Sequence, residues 1–179
     1  MQITGGKFNS RKIKTADFEN IKPTLSKTRQ GIFNSLASML DFEDKIFFDL
    51  FAGSGIMSLE AVSRGFEVHS FEKDKRTALA IKDSYKSLGL TPNLYFGDTL
   101  KNLLKLNIKA DVIFIDPPYD SDLYEKTLLL IKEKDILNKD GIIILEHPID
   151  KEINKNGFEL IKAKTYGNKQ ISFLSNQEE

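Results

Sequence analysis

The stretch Asp111-Val112-Ile113-Phe114-Ile115-Asp116-Pro117-Pro118-Tyr119 limits the possible folds more than any other. Its apolar run has no polar alternation, the pattern of a central parallel strand covered by helices on both faces. The strand must stop at Pro117, because proline has no N–H for the ladder and pushes its predecessor into an extended conformation. A carboxylate, a stiff double-proline turn and an aromatic ring are thereby held at one strand end. The plainer reading makes Asp116 a helix cap and Tyr119 packing, so the surrounding chain has to separate the two.

Strand and helix patterns alternate around this run. Pro23-Thr24-Leu25-Ser26 reads as a helix start, with Leu25, Ile32, Phe33, Leu36 and Leu40 as its apolar stripe. Strands are expected at 46–50, 67–72, 93–96, 111–115 and 141–146, with helices between them marked by Ile56, Leu59 and Val62, by Ala78, Ile81 and Tyr85, by Leu100, Leu103 and Leu104, and by Leu123, Leu128 and Ile131. Such βα units argue for an α/β fold with a doubly wound, mostly parallel sheet and right-handed crossovers. At the end, residues 158–166 and 170–174 flank Gly167-Asn168 and read as a β-hairpin. A single compact domain is expected. Within it, residues 1–40 form a basic extension and first helix, and residues 41–175 the main unit.

Composition excludes several chemistries. There is no cysteine and there are only two isolated histidines, His69 and His147, so disulfides and thiolate or histidine-built metal sites are not expected. No stretch approaches the roughly 18 uninterrupted apolar residues of a membrane span, and no signal-peptide pattern is seen at Met1-Gln2-Ile3-Thr4; a cytoplasmic location is the expectation. Net charge is zero but unevenly spread, since residues 1–30 hold seven basic residues against two acidic ones. A basic arm on an otherwise acidic chain points to a polyanion partner. A solvated tail is the competing reading, and Phe8 with the Gly5-Gly6 pair favours an ordered element. Arg29, beside the apolar stripe of the first helix, either snorkels to water or points at an anionic ligand.

Five acids, Asp49, Glu72, Asp98, Asp116 and Glu146, fall at or just after the ends of the five expected strands. In an open parallel sheet those ends share one edge, where ligands bind at the topological switch point. Each acid alone reads as a helix cap. Together they suit a ligand that is cationic or rich in donors, such as a sulfonium cofactor with an ammonium group and ribose hydroxyls. The loop Asp49-Leu50-Phe51-Ala52-Gly53-Ser54-Gly55 allows close backbone approach, and a bound carboxylate or phosphate would meet the free N–H groups that open the next helix. Ser58 stands where a dinucleotide fingerprint wants its third glycine, which weakens the pyrophosphate reading. The loop alone leaves NAD and S-adenosylmethionine open.

The second half of the sheet favours methyl transfer. No residue suggests itself as the acid–base group of an oxidoreductase. An exocyclic amino group needs orientation more than deprotonation before attack; Asp116 and the Pro117 carbonyl can accept its N–H bonds, and Tyr119 can stack on the base. Taken together, the glycine loop and Asp116-Pro117-Pro118-Tyr119 resemble the class I S-adenosylmethionine-dependent methyltransferases of exocyclic amino groups. With Ile3-Thr4-Gly5-Gly6-Lys7-Phe8, Pro23-Thr24, Arg29, Phe33-Asn34, Leu59-Glu60-Ala61-Val62-Ser63-Arg64-Gly65 and Tyr166-Gly167, the chain resembles the bacterial 16S rRNA (guanine-966-N2)-methyltransferases.

That resemblance implies a Rossmann-like seven-stranded sheet with its last strand antiparallel. It implies S-adenosylmethionine held by Asp49, Phe51, Ala52, Gly53, Ser54, Gly55, Glu72, Lys73, Asp98 and Thr99, with Asp98 near the adenine amino group. Lys7, Arg11, Lys12, Lys14, Thr24 and Arg29 are the residues expected to face RNA. The expected partner is 16S rRNA, naked or in an assembled or assembling small subunit, and the expected state is a monomer without metal. Two departures stand out: Lys22 precedes Pro23-Thr24 where the family usually has arginine, and Gln30-Gly31 interrupts the first helix. An adenine-N6 methyltransferase on DNA or RNA and a non-catalytic RNA-binding assembly protein are the alternative readings.

Overall fold

The computed structural model describes residues 1–13, 24–118 and 122–177. Lys14 and Tyr119, with Lys22 and Pro23, therefore lie outside the described residues.

Among the described residues, strands β1 (Ile46–Asp49), β2 (Glu67–Glu72), β3 (Asn93–Phe96), β4 (Ala110–Ile115), β5 (Leu137–Pro148), β6 (Phe158–Tyr166) and β7 (Lys169–Asn176) form one sheet in the order β3-β2-β1-β4-β5-β7-β6. Pairing is parallel from β3 through β5, while β7 runs antiparallel to both β5 and β6. This is a Rossmann-like, doubly wound sheet. Its order reverses between β1 and β4, which open a crevice at their carboxyl ends.

Helices α1 (Ser26–Ala37), α2 (Ile56–Ser63), α3 (Lys75–Ser87), α4 (Thr99–Leu103) and α5 (Leu123–Glu133) cover the sheet. Strand alternation divides the core into two faces. Phe47, Val112, Phe114, Ile144 and Phe173 pack with Ile32, Phe33 and Leu36 of α1 and Met57 of α2. Phe48, Ile113, Ile115, Ile143 and Leu145 pack with Leu103 of α4 and Leu128 and Ile131 of α5. The all-apolar run of β4 is thus buried on both sides, as a central strand requires.

Three local expectations are corrected. Helix α1 begins at Ser26, so Leu25 sits at its N-cap with 72% of its surface exposed and is not part of the buried stripe. Leu104 follows α4 and is also exposed. Strand β5 is twelve residues long and extends beyond the expected 141–146 at both ends: Leu137 pairs with Ala110 of β4, and antiparallel pairing with β7 continues through Pro148. Gly31 finds its reason in packing: a Cβ there would lie 1.8 Å from the Tyr166 hydroxyl.

The N-terminal segment is ordered. Ile3 N–H donates to Arg11 O, Ser10 N–H to Ile3 O and Ile13 N–H to Met1 O, closing a small hairpin whose Ile3 and Ile13 pack with Leu59 of α2. No helix among the described residues is long and apolar enough to cross a membrane.

Candidate active site

A cavity of about 510 Å³ opens at the carboxyl ends of β1 and β4. Asp49, Phe51, Ala52, Gly53, Ser54, Glu72, Lys73, Asp98, Thr99, Asp116, Pro117, Pro118 and Thr24 all line it. Gly55 stands just behind, as the left-handed N-cap of α2 (φ 74°). Ile56, Met57, Phe71, Leu100, Phe114 and Leu123 supply an apolar wall that the motif spacing did not reveal.

The loop after β1 is held from three sides. Leu50 N–H donates to Phe114 O, Ala52 N–H to Phe71 O, and the Thr99 hydroxyl to Leu50 O. Gly53 adopts φ 50°, which turns its N–H toward Glu72; that carboxylate accepts from Gly53 N–H at 2.8 Å and from Asp74 N–H at 2.8 Å. Glu72 therefore clamps the loop to the tip of β2. Burial raises its proton affinity, and the backbone hydrogen bonds partly offset this.

Asp49 is fully enclosed. Its Oδ2 accepts from Ser58 N–H at 3.1 Å and from Ser58 Oγ at 2.6 Å, while Oδ1 has no hydrogen-bond partner among the described residues. Leaving a buried carboxylate oxygen unsatisfied is costly. Burial pushes the Asp49 pKa up to about 7, against the lowering effect of Ser58. Ser58, where a dinucleotide loop would have glycine, is the residue that anchors this acid.

Asp116 follows β4 with Pro117 buried behind it and Pro118 exposed. Its proton affinity is raised well above that of an ordinary aspartate, first by burial and then by the Glu146 charge; Lys169 opposes the shift, and Asp49 adds to it. Glu146 does not line the cavity. It is fully buried, accepting from the Thr24 hydroxyl at 2.8 Å and from Lys169. The expected edge of five acids is therefore four acids facing the cavity and one held beneath it. Asp98 caps α4 through Lys101 N–H and is also on the cavity wall, so capping does not remove it from the cavity.

The residues expected to face RNA divide. Lys7, Arg11 and Lys12 are exposed on the N-terminal hairpin. Thr24 is 5% exposed and belongs to the cavity. Arg29 is corrected: it is 3% exposed, and its guanidinium donates to Glu60 at 2.8 Å, to Thr24 O at 2.5 Å and to Gln2 O at 2.7 Å. It neither snorkels nor reaches a ligand, because its donors are directed inward.

Glu60, which the sequence reading did not single out, is the hub of that arrangement. It accepts from Thr4 N–H, the Thr4 hydroxyl, Arg29 and Arg64, and so binds the hairpin to α2. Gly6 (φ 74°) is required here, since a Cβ would fall 1.9 Å from Ser63 O. The missed signal was a lone acid among Ile56, Met57, Leu59 and Ala61, all buried in α2.

A family model described as "Conserved hypothetical protein 95" matches residues 1–175. YlbH of Bacillus subtilis, provisionally named an rRNA methyltransferase, is 33% identical over 175 residues, covering 93% of this chain and 94% of that one. The ribosomal RNA small subunit methyltransferase D of Buchnera aphidicola (from Acyrthosiphon pisum) is 33% identical over 147 residues, covering 80% and 76%. The chain belongs to this rRNA methyltransferase family. A solved Escherichia coli structure, yhhF, described provisionally as a methyltransferase, superposes on this member with a TM-score of 0.87 at 23% identity over 98% of each chain, in agreement with the fold. The matched span contains this chain's N-terminal hairpin, its glycine loop and all but the last residue of the β6–β7 hairpin.

Proposed function

We propose that this protein methylates the exocyclic N2 amino group of a guanine in 16S rRNA, using S-adenosylmethionine. The reading is carried by one observation: Asp116 and Pro117 face the same cavity as the glycine loop, Glu72 and Asp98. Rings, charges and hydroxyls of the cofactor find complementary groups there. The unsatisfied Asp49 Oδ1 suits an ammonium group, Glu72 and Asp98 suit hydroxyl and amino donors, and the opening of α2 suits a carboxylate. Bound there, the cofactor supplies an electrophilic methyl group.

The chain's own residues do the rest. Asp116 and the Pro117 carbonyl accept the two N–H bonds of the target amino group and set its orientation. The amino nitrogen must lose one proton as its new bond to carbon forms, and the raised proton affinity of Asp116 makes it a competent destination. Tyr119 stacks on the base, which is turned out of its helix or loop to reach the cavity. Residues 1–40, with Lys7, Arg11 and Lys12 exposed on the hairpin, form the RNA-facing part, and Lys14 is a further basic residue of that part. The protein acts as a cytoplasmic monomer on small-subunit RNA, free or within an assembling subunit.

Incubation with radiolabelled cofactor and small-subunit rRNA, followed by nucleoside mass spectrometry, tests this. N2-methylguanosine is expected. N6-methyladenosine would favour the adenine reading instead, and RNA binding without transfer would favour an assembly role. Asp116→Ala should lower transfer by at least about a hundredfold with cofactor affinity nearly intact; full activity in that variant would sink the assignment.

A further inference from the structure

The mechanism leaves one buried charge relay unused. Ile115 of β4 aligns with Leu145 of β5, so Asp116 and Glu146 are the next residues along two neighbouring parallel strands. Glu146 is 0% exposed. Lys169, at the start of β7 opposite Pro148, reaches back to bond one Glu146 oxygen, and the Thr24 hydroxyl bonds the other. A carboxylate on the cavity wall, a second one buried behind it and an ammonium thus follow one another across the three neighbouring strands β4, β5 and β7.

We propose that Lys169 is a positioning residue for methyl transfer: by neutralising Glu146 it leaves Asp116 as the carboxylate at this strand end that engages the amino group of the target base. The inference rests on the functional reading above. Without Lys169, two like charges would sit side by side in a buried site, and one of them would take up a proton. Glu146 keeps a hydroxyl donor in Thr24. The charged groups acting on Asp116 are Glu146 from β5 and Asp49 from β1, which favour its protonated form, and Lys169 from β7, which favours the ionised form. Loss of the lysine therefore moves Asp116 toward the protonated state, in which one oxygen donates rather than accepts. The hairpin β6–β7 acquires a role in chemistry through a residue that does not touch the substrate.

The test is the pH dependence of kcat for wild type, Lys169→Met, Lys169→Arg and the double variant Glu146→Gln/Lys169→Met, with small-subunit rRNA and radiolabelled cofactor. The acidic limb should move up by about one pH unit in Lys169→Met, return in Lys169→Arg, and return most of the way in the double variant, with cofactor Kd by calorimetry within about twofold throughout. A fall in kcat with an unmoved limb, or a double variant as displaced as the single one, would overturn the proposal. Should Lys169→Met fail to fold, Glu146→Gln alone keeps the proposal testable: with the lysine no longer neutralised by Glu146 the acidic limb must fall below that of wild type, and an unmoved limb would overturn it. If wild type methylates no RNA, the functional reading fails separately, and carboxyl-carbon NMR of Asp116 in the same variants still reads the charge relation.

Discussion

Glu60 and Asp49 are both buried acids, one carried on α2 and the other bonded to α2 through Ser58, and they are built in opposite ways. Every oxygen of Glu60 is engaged: Thr4, Arg29 and Arg64 surround it, and the result is a joint between the N-terminal hairpin, α1 and α2. Among the described residues, Asp49 has a single hydrogen-bonding residue, Ser58, on one oxygen and none on the other. A buried carboxylate that is fully partnered serves architecture. One that is left partly unpartnered beside a cavity suits the ligand-binding role proposed for it. The difference is not visible in burial, which is nearly complete for both.

The strongest challenge to this contrast is Glu60→Ala. It leaves Arg29 buried without its counter-charge and should cost about 3–5 kcal/mol in urea denaturation, while the folded fraction keeps its cofactor affinity. A loss below about 1 kcal/mol would put Glu60 among dispensable surface pairs and erase the contrast.

Asp49→Asn probes the other side. An aspartate titrates near 3.9 when unfolded, and here the folded value is about 7. The folded state therefore holds a proton that the unfolded state has lost, so this contribution to stability is complete below about pH 4 and disappears as pH rises through about 7. Glu72 and Asp116, also raised, act in the same direction. The ligand-free protein should resist urea better at pH 5 than at pH 8. Asp49→Asn should flatten that slope by on the order of 3 kcal/mol and weaken cofactor binding about tenfold. An unchanged slope would mean that the Asp49 proton is not coupled to folding.

The smallest effect belongs to the hairpin's outer surface. Replacing Lys7, Arg11 and Lys12 together by alanine should leave stability and cofactor binding alone and reduce the salt slope of RNA binding by about 2–3. An unchanged slope in a filter-binding series would confine the hairpin to the structural role that Glu60 gives it.

The fold was legible because its signals are local. The run 112–115 is apolar throughout and stops at a proline pair, the glycine loop has a fixed order, and strand-end acids recur at each βα junction. Much of the cavity lining was legible for the same reason. What escaped depends on partners far apart in sequence. Glu60 is separated from Thr4 by 56 residues and from Arg29 by 31, and Glu146 meets Thr24 across 122. Arg29 beside an apolar stripe allowed a snorkelling or ligand-facing reading; only the matching lone acid on α2 points to a third, an internal ion pair. Strand-end position alone likewise could not tell Asp116 from Glu146, since β7, which supplies Lys169, arrives last in the chain.

The contact between Gly31 and the Tyr166 hydroxyl ties together two choices that evolution would otherwise make separately. An alanine at 31 would favour the helix by about 1 kcal/mol, but its Cβ would overlap the phenol oxygen. The first helix and the last hairpin are therefore coupled through one atom: Gly31→Ala should gain its helix propensity only in a Tyr166→Phe background, where the phenol oxygen it would meet is gone.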